Sequence, residues 1–116
     1  MLMEQLNLWG GNDLFPADLV VNQGDGYIRY YNGLQICWGI CDHGSSAYDW
    51  NYGVTFSAPF ASSPTIITSP YSDNSRGCMA FPISISPTGT TIRQESKYAS
   101  NGKSRYIYWL AIGNWK

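Results

Sequence analysis

Two polar stretches of this chain combine aromatic rings with side chains that hydrogen-bond to hydroxyl groups. They supply eight candidate ligand-binding residues: His43, Tyr48, Asp49 and Trp50 from the first stretch, and Tyr71, Asp73, Asn74 and Arg76 from the second. Sugars present apolar C–H faces and many hydroxyls, so rings beside Asp, Asn and Arg are typical of saccharide-binding sites. Two alternatives stay open. In the first, the rings fold inward and cap the core instead of binding a ligand. In the second, Arg76 pairs with a neighbouring subunit instead of a carboxylated sugar.

The same stretches are poor candidates for catalysis or metal binding. Cleavage of a glycosidic bond needs two carboxyl groups about 5–9.5 Å apart, whereas Asp42, Asp49 and Asp73 stand where turn residues bend the backbone. No G-x-S-x-G nucleophile motif accompanies His43. Cys37 lies too far along a predicted strand to share a zinc ion with His43, and no stretch has the carboxylate spacing of a calcium loop. We therefore expect a non-enzymatic domain with no catalytic residue, no metal and no cofactor.

The composition argues against nucleic-acid and membrane partners. Charged residues make up 13% of the 116-residue chain and the formal net charge is −1, so the basic patch of a nucleic-acid-binding protein is missing. The sequence has no run of about 18 apolar residues and no basic region before an apolar one at its start, which predicts neither a membrane span nor a signal peptide. The three cysteines, an odd number, favour buried thiols in a reducing compartment over a disulfide framework.

The elements that position these stretches are predicted to be short β-strands. Apolar alternation between turn residues places them at 27–31, 34–41, 52–56, 64–70, 77–85, 90–96 and 105–112. No segment has a helical period, so the pattern indicates an all-β, antiparallel β-sandwich. Asn32-Gly33 predicts a two-residue type I′ turn between the first two strands.

The strand at 34–41 is predicted to bury its even-numbered face. Leu34, Ile36, Trp38 and Ile40 alternate there with Gln35, Cys37, Gly39 and Cys41. Because the side-chain period of a strand is two and the even face is the more apolar, we expect that face to form the core, with Trp38 filling it.

Strand order predicts that one end of the sandwich carries most of the polar loops. Connections in an antiparallel array alternate between ends, which puts 42–51, 71–76 and 97–104 together. The strand at 27–31 would then begin at that same end. Residues 1–26 show no sustained periodicity and are interrupted by glycine and proline, so we interpret them as an N-terminal connector to a domain at 27–116.

Three motifs occur in order along the domain. They are N-G-L-Q-I-C-W-G at 32–39, V-T-F-S-A-P-F-A-S-S-P at 54–64 and Y-I-Y-W-L-A-I-G at 106–113. Taken together they resemble the C-terminal tip domain of bacteriophage tail fibres, a small trimeric β-sandwich similar to the H-type lectin fold. The departures from the family's pattern are Cys37, the long aromatic loop at 42–52 and the extra residues Asn114, Trp115 and Lys116.

The resemblance implies a location and a function. It predicts a receptor-binding domain at the tip of a virion tail fibre, assembled in the host cytoplasm, with residues 1–26 as the end of the fibre shaft. The expected partner is a bacterial surface glycan, a lipopolysaccharide or capsule sugar, bound without cleavage. The alternative is a module that brings three fibre chains into register without touching the receptor.

A homotrimer is expected on independent grounds as well. The strand at 105–112 is apolar on both faces, and a strand of that kind is normally buried on both. Low charge and many aromatic residues also fit a surface that is covered by other subunits.

Overall fold

The computed structural model describes residues 19–72, 77–96 and 102–116. Eight β-strands cover most of them: β1 Val20–Gly24, β2 Tyr27–Tyr30, β3 Leu34–Ala47, β4 Trp50–Thr55, β5 Thr65–Ser72, β6 Cys78–Ile85, β7 Gly89–Ser96 and β8 Ser104–Asn114. They form a five-stranded sheet in the order β1-β2-β3-β8-β5 and a three-stranded sheet in the order β4-β7-β6. Every strand pair is antiparallel, which confirms the all-β prediction.

The core lies between the two sheets. The large sheet contributes Ile107, Trp109 and Ala111 from β8, and the small sheet contributes Trp50 and Ile92. The segment between β4 and β5 adds two rings, Phe56 and Phe60, which meet edge to face at 5.2 Å. The break predicted between the strands at 52–56 and 64–70 is thus an apolar loop that closes the sandwich.

The predicted core face of β3 is wrong. Its odd-numbered side chains point inward, with Gln35, Cys37 and Cys41 all completely buried, while Trp38 is 45% and Ile40 is 55% exposed. The face that looked more apolar in the sequence is thus the outer face of the large sheet.

Pairing with β8 explains this choice of face. Gly39 lies directly opposite Trp109, and residues that pair across antiparallel strands project to the same face. A Cβ atom on Gly39 would come within 2.8 Å of the Trp109 ring, so the ring occupies the space that the glycine leaves. Burial of Gln35 is made possible by hydrogen bonds, since its Nε2 donates to the Ala58 carbonyl at 2.9 Å and its Oε1 accepts from Arg29 at 2.5 Å.

The β2–β3 hairpin has a three-residue loop instead of the predicted two-residue turn. Arg29 pairs with Gln35, which leaves 31–33 as the loop. The Gly33 N–H donates to the Tyr30 carbonyl at 3.0 Å, and Gly33 has a φ of 99°. Three-residue hairpin loops require a left-handed residue at this position, so glycine is needed here for that reason.

The predicted loop at 42–51 is largely strand. Strand β3 continues to Ala47, and only Tyr48 and Asp49 connect it to β4. The register with β8 shifts between Asp42 and Ala47, and Gly44 takes a φ of 96° there. The polar residues therefore form a β-bulge, which bends the strand without ending it.

The polar connections do share one end, as predicted. Ala47 of β3 and Ser72 of β5 both pair with Ser104 at the start of β8, and in the small sheet Cys78 pairs with Ser96. We call this the loop-rich end; the segments 73–76 and 97–101, which join it, lie outside the described residues.

The chain enters at the opposite end, contrary to expectation. Strand β2 pairs only with 35–37 of the long β3, so it begins halfway along the sheet. A further strand, β1, which the sequence did not predict, then runs back so that Val20 pairs with Tyr30. The Leu19 carbonyl accepts the Tyr31 N–H at 3.0 Å, which fixes the start of the described chain far from the loop-rich end.

Candidate ligand-binding site at the loop-rich end

Five of the eight predicted binding residues can be placed. His43, Tyr48, Asp49, Trp50 and Tyr71 all lie at or beside the loop-rich end. The other three, Asp73, Asn74 and Arg76, fall outside the described residues.

Trp50 is a core residue and not a surface platform. It is 5% exposed, and its indole N–H donates to the Ser104 carbonyl at 3.0 Å. The inward-folding alternative therefore holds for this ring. The physical reason is the bulge in β3, which leaves Trp50 as the first residue of β4, on the side of the small sheet that faces the core.

His43 lies in the bulged part of β3, on the surface of the protein. Its side chain is exposed, its ring centroid is 4.9 Å from that of Trp50, and its Nδ1 donates to the Ser45 carbonyl at 3.0 Å. Those contacts hold the ring against the bulge. Among the described residues no group of three His, Cys, Asp or Glu side chains is arranged to hold a metal ion.

Tyr48 and Asp49 form the two-residue connection between β3 and β4. They differ in how far their side chains are free to contact a ligand. The Asp49 carboxylate accepts the Ser96 N–H at 2.8 Å, so it fixes the neighbouring β7 end, as turn aspartates commonly do. The Tyr48 ring is 47% exposed and carries the Lys103 ammonium 5.3 Å from its centroid. Tyr48 therefore presents an aromatic face with a positive charge beside it.

Gln94 holds this connection from the core side, a role that its sequence position did not suggest. Its side chain is completely buried, and its Nε2 donates to the Tyr48 carbonyl and to the Gly102 carbonyl. The first and third connections are thus tied to one buried amide. Within the described part of the chain the Gln94 Oε1 has no hydrogen-bond partner.

An ion pair that sequence reasoning missed completes the end of the large sheet. Arg105 donates to both carboxylate oxygens of Asp42, at 2.7 and 3.1 Å, and its guanidinium lies 4.9 Å from the centroid of the Tyr106 ring. The hydrogen bonds from Arg105, followed by the one from the Gly44 N–H, lower the pKa of Asp42. No local sequence pattern marks this pair, because the two residues are 63 positions apart.

Tyr71 is the more exposed of the two predicted tyrosines. It is 57% exposed and pairs across the sheet with Tyr106, which in turn pairs with Asp42. Asp42, Tyr106 and Tyr71 therefore form one row on the outer face of the large sheet at the loop-rich end. The row offers ring faces and an oriented ion pair, which are groups suited to holding a hydroxylated ligand.

The described site lacks a carboxyl group prepared for acid catalysis. A general acid needs a pKa raised toward the working pH, whereas that of Asp42 is lowered and Asp49 is engaged by a backbone N–H.

In the described part of the chain no helix is long and apolar enough to cross a bilayer.

No protein-family model matches the sequence, and no curated protein is similar to it at a significant level. Solved structures nevertheless share its fold. An N-terminally truncated R1-type pyocin tail fibre superposes with a TM-score of 0.61 at 18% identity, and the match covers 97% of this chain and 96% of that one.

Longer fibre chains match in part. The C-terminal portion of the P. aeruginosa R1 pyocin fibre gives a TM-score of 0.60 at 16% identity over 81% of this chain and 27% of that one. The P. aeruginosa R2 pyocin fibre gives 0.59 at 18% identity over 82% and 25%. This chain thus spans about a quarter of those fibre chains, and at these identities the likeness shows a common fold.

Proposed function

We propose that this domain is the receptor-binding tip of a tail fibre, of a phage or a related contractile particle. In this proposal it recognises a bacterial surface glycan, a lipopolysaccharide or capsule sugar, without cleaving it. The fold that it shares with a pyocin tail fibre over nearly the whole of both chains is the observation that carries the proposal. The domain would assemble as a homotrimer in the host cytoplasm, with an H-type lectin-like sandwich in each subunit.

The direction of the chain supports this role. The described chain begins beside Tyr31, at the end of the sandwich opposite the candidate site. A shaft joined to Leu19 would therefore leave the loop-rich end pointing away from the particle. That is the geometry a receptor-binding tip requires.

The chemistry of the exposed groups supports binding over cleavage. Tyr48 and Tyr71 offer rings for the apolar faces of sugars, and the ionised Asp42 and Arg105 are oriented acceptors and donors for hydroxyls. Asp73, Asn74 and Arg76 remain part of the proposed site on the strength of the sequence. Each site would be weak, but three sites on one trimer bind a repetitive surface with much higher avidity.

Cell staining with the isolated protein tests the proposal, and the chain offers a matched control. Tyr71 and Tyr31 are both 57% exposed but lie at opposite ends of the sandwich. We expect the fluorescently labelled protein to stain some members of a panel of Gram-negative strains that includes P. aeruginosa. Tyr71→Ala should reduce staining at least tenfold, and Tyr31→Ala should leave it unchanged. Equal staining by both variants would move the site away from Tyr71.

An assembly module is the second candidate function, favoured by the exposed apolar residues on the outer face of the large sheet. Such a module would stain no strain in the panel. Release of reducing ends from the polysaccharide of a stained strain would instead show an enzyme.

A further inference from the structure

One buried side chain of the small sheet is bonded to both connections that carry the Tyr48–Lys103 pair. Gln94 lies on the buried face of β7 and is itself completely buried. Its Nε2 donates to the Tyr48 carbonyl in the β3–β4 connection, and at 3.4 Å to the carbonyl of Gly102, the residue before Lys103. The Lys103 ammonium lies 5.3 Å from the centroid of the Tyr48 ring. A single amide therefore joins the two backbone segments from which this pair projects.

The two acceptors fix the orientation of the Gln94 amide. Both are carbonyl oxygens, so rotating the amide by half a turn would bring Oε1 against them and remove both hydrogen bonds. In the donating orientation Oε1 is buried and has no hydrogen-bond partner among the described residues. An unpaired buried acceptor destabilises a fold, and proteins depart from full satisfaction of buried polar groups mainly at functional sites. The amide thus holds the two connections while its own acceptor stays unpaired.

Gln35 provides a contrast within the same core. It is also completely buried, but both ends of its amide are bonded: Nε2 donates to the Ala58 carbonyl at 2.9 Å, and Oε1 accepts from Arg29 at 2.5 Å. Gln35 pairs with Gly113 near the end of β8, far from the loop-rich end. The two glutamines are equal in length and burial and differ in what they hold.

Ser96 bonds the same two connections in a different way. Its hydroxyl donates to the Gly102 carbonyl at 2.7 Å, and its backbone N–H donates to the Asp49 carboxylate at 2.8 Å. Ser96 is only half-buried, so water replaces its hydroxyl more easily than a donor in the dry core. It also holds the Asp49 side chain and not the backbone at Tyr48. The buried contact to that backbone comes from Gln94.

We infer that Gln94 is a positioning residue of the candidate site, which holds the Tyr48 ring beside the Lys103 ammonium without touching the ligand. Because Gln94 is buried, it acts through the backbone of the two connections. Without its hydrogen bonds the two side chains would have to be ordered when a ligand binds, which lowers affinity. The inference rests on the proposed function for the ligand alone, since the placement of the Tyr48 ring belongs to the unliganded protein.

The placement is tested without a ligand, by fluorine NMR of the full chain labelled with fluorotyrosine. Tyr48→Phe identifies the Tyr48 resonance, and Lys103→Met shows where that resonance lies when the ammonium is missing. We expect Gln94→Met to move the Tyr48 resonance toward its position in Lys103→Met. Gln35→Met should leave it unchanged. An unmoved Tyr48 resonance in Gln94→Met would overturn the inference.

The effect on binding is measured with lipopolysaccharide purified from a stained strain. We expect Gln94→Met to bind it at least tenfold more weakly than the wild type, and Gln35→Met to bind it equally well. Gln35→Met leaves both Arg29 and the Ala58 carbonyl unpaired, so it controls for a general loss of stability. Gln94→Asn, whose shorter side chain withdraws the donor from both carbonyls, replaces Gln94→Met if circular dichroism shows that variant unfolded.

The outcomes separate this inference from the proposed function. A moved resonance with wild-type affinity, or an equal loss of affinity in both glutamine variants, would overturn the role of Gln94 in binding. A moved resonance in a protein that stains no strain would support the positioning of Tyr48 and contradict the receptor-binding role. A protein that stains cells while its Tyr48 resonance is unmoved by Gln94→Met would do the reverse.

Discussion

A methyl group added at Gly39 should destabilise the fold, while the same change at Gly53 should stabilise it. Both glycines lie inside strands, Gly39 in β3 and Gly53 in β4. A Cβ on Gly39 would lie 2.8–2.9 Å from three atoms of the Trp109 ring, but a Cβ on Gly53 would meet nothing within 4 Å. The two substitutions are chemically identical and differ in the space available.

The magnitudes follow from this difference. Replacing a strand glycine by alanine without strain gains about 0.5–1 kcal/mol, because the unfolded chain loses conformational freedom. Overpacking a core costs about 1–3 kcal/mol, and Trp109 cannot easily move because its ring packs against Phe56 at 5.8 Å. We expect Gly39→Ala to lower the free energy of unfolding by about 1–3 kcal/mol and Gly53→Ala to raise it by about 0.5–1 kcal/mol.

Guanidinium and thermal unfolding at one fixed protein concentration measure both values, since self-association would make the melting temperature depend on concentration. For a domain of this size each kcal/mol shifts the midpoint by roughly 4 °C. Gly39→Ala should therefore melt at least about 4 °C below the wild type and Gly53→Ala at least about 2 °C above it. Shifts of the same sign would refute the assignment of the odd face of β3 to the core.

Three further predictions concern the thiols and the C-terminus. Burial raises the pKa of the Cys41 thiol to about 11 from its ordinary value of 9.0, so the folded state holds this proton more tightly; about 2 kcal/mol of stability should be lost as the pH rises from about 9 to 11. Urea unfolding across that range should show this part of the decline in the wild type and not in Cys41→Ala. Ellman's reagent should react with the partly exposed Cys78 in the native protein and with Cys37 and Cys41 only after unfolding, and rapid reaction of all three thiols would contradict the packing. Trp115→Phe removes the indole N–H that donates to the Tyr30 carbonyl at 2.8 Å, so the free energy of unfolding should fall by about 1 kcal/mol; an unchanged urea midpoint would show that the bond contributes nothing.

Local patterns were sufficient for the fold class and for most strand positions. The turn residues between strands are those whose backbone preferences end a strand, and they act within a few positions. The same local logic failed for β1, where Val20–Gly24 has little alternation and becomes a strand by pairing with β2. It failed again at 42–51, where polar residues that resemble a loop form a bulge against β8.

The candidate site was predictable in its location but not in its members. Strand alternation places the connections at one end regardless of side-chain detail. Whether Trp50 faces out or in depends on where β3 ends, and the Asp42–Arg105 pair depends on the register of β3 with β8. Both are set by contacts between residues far apart in the chain.

The sequence by itself determined that this protein is an antiparallel β-sandwich with its polar connections gathered at one end, because strand alternation and turn chemistry are local. Only the tertiary structure decided which face of β3 is the core. Hydrophobicity favoured the face of Trp38, but the volume of Trp109 on the neighbouring strand requires a glycine opposite, and Gly39 lies on the other face. Burial between the sheets is therefore set by the shape of the partner strand, and the more apolar face of β3 stays on the outside of the large sheet.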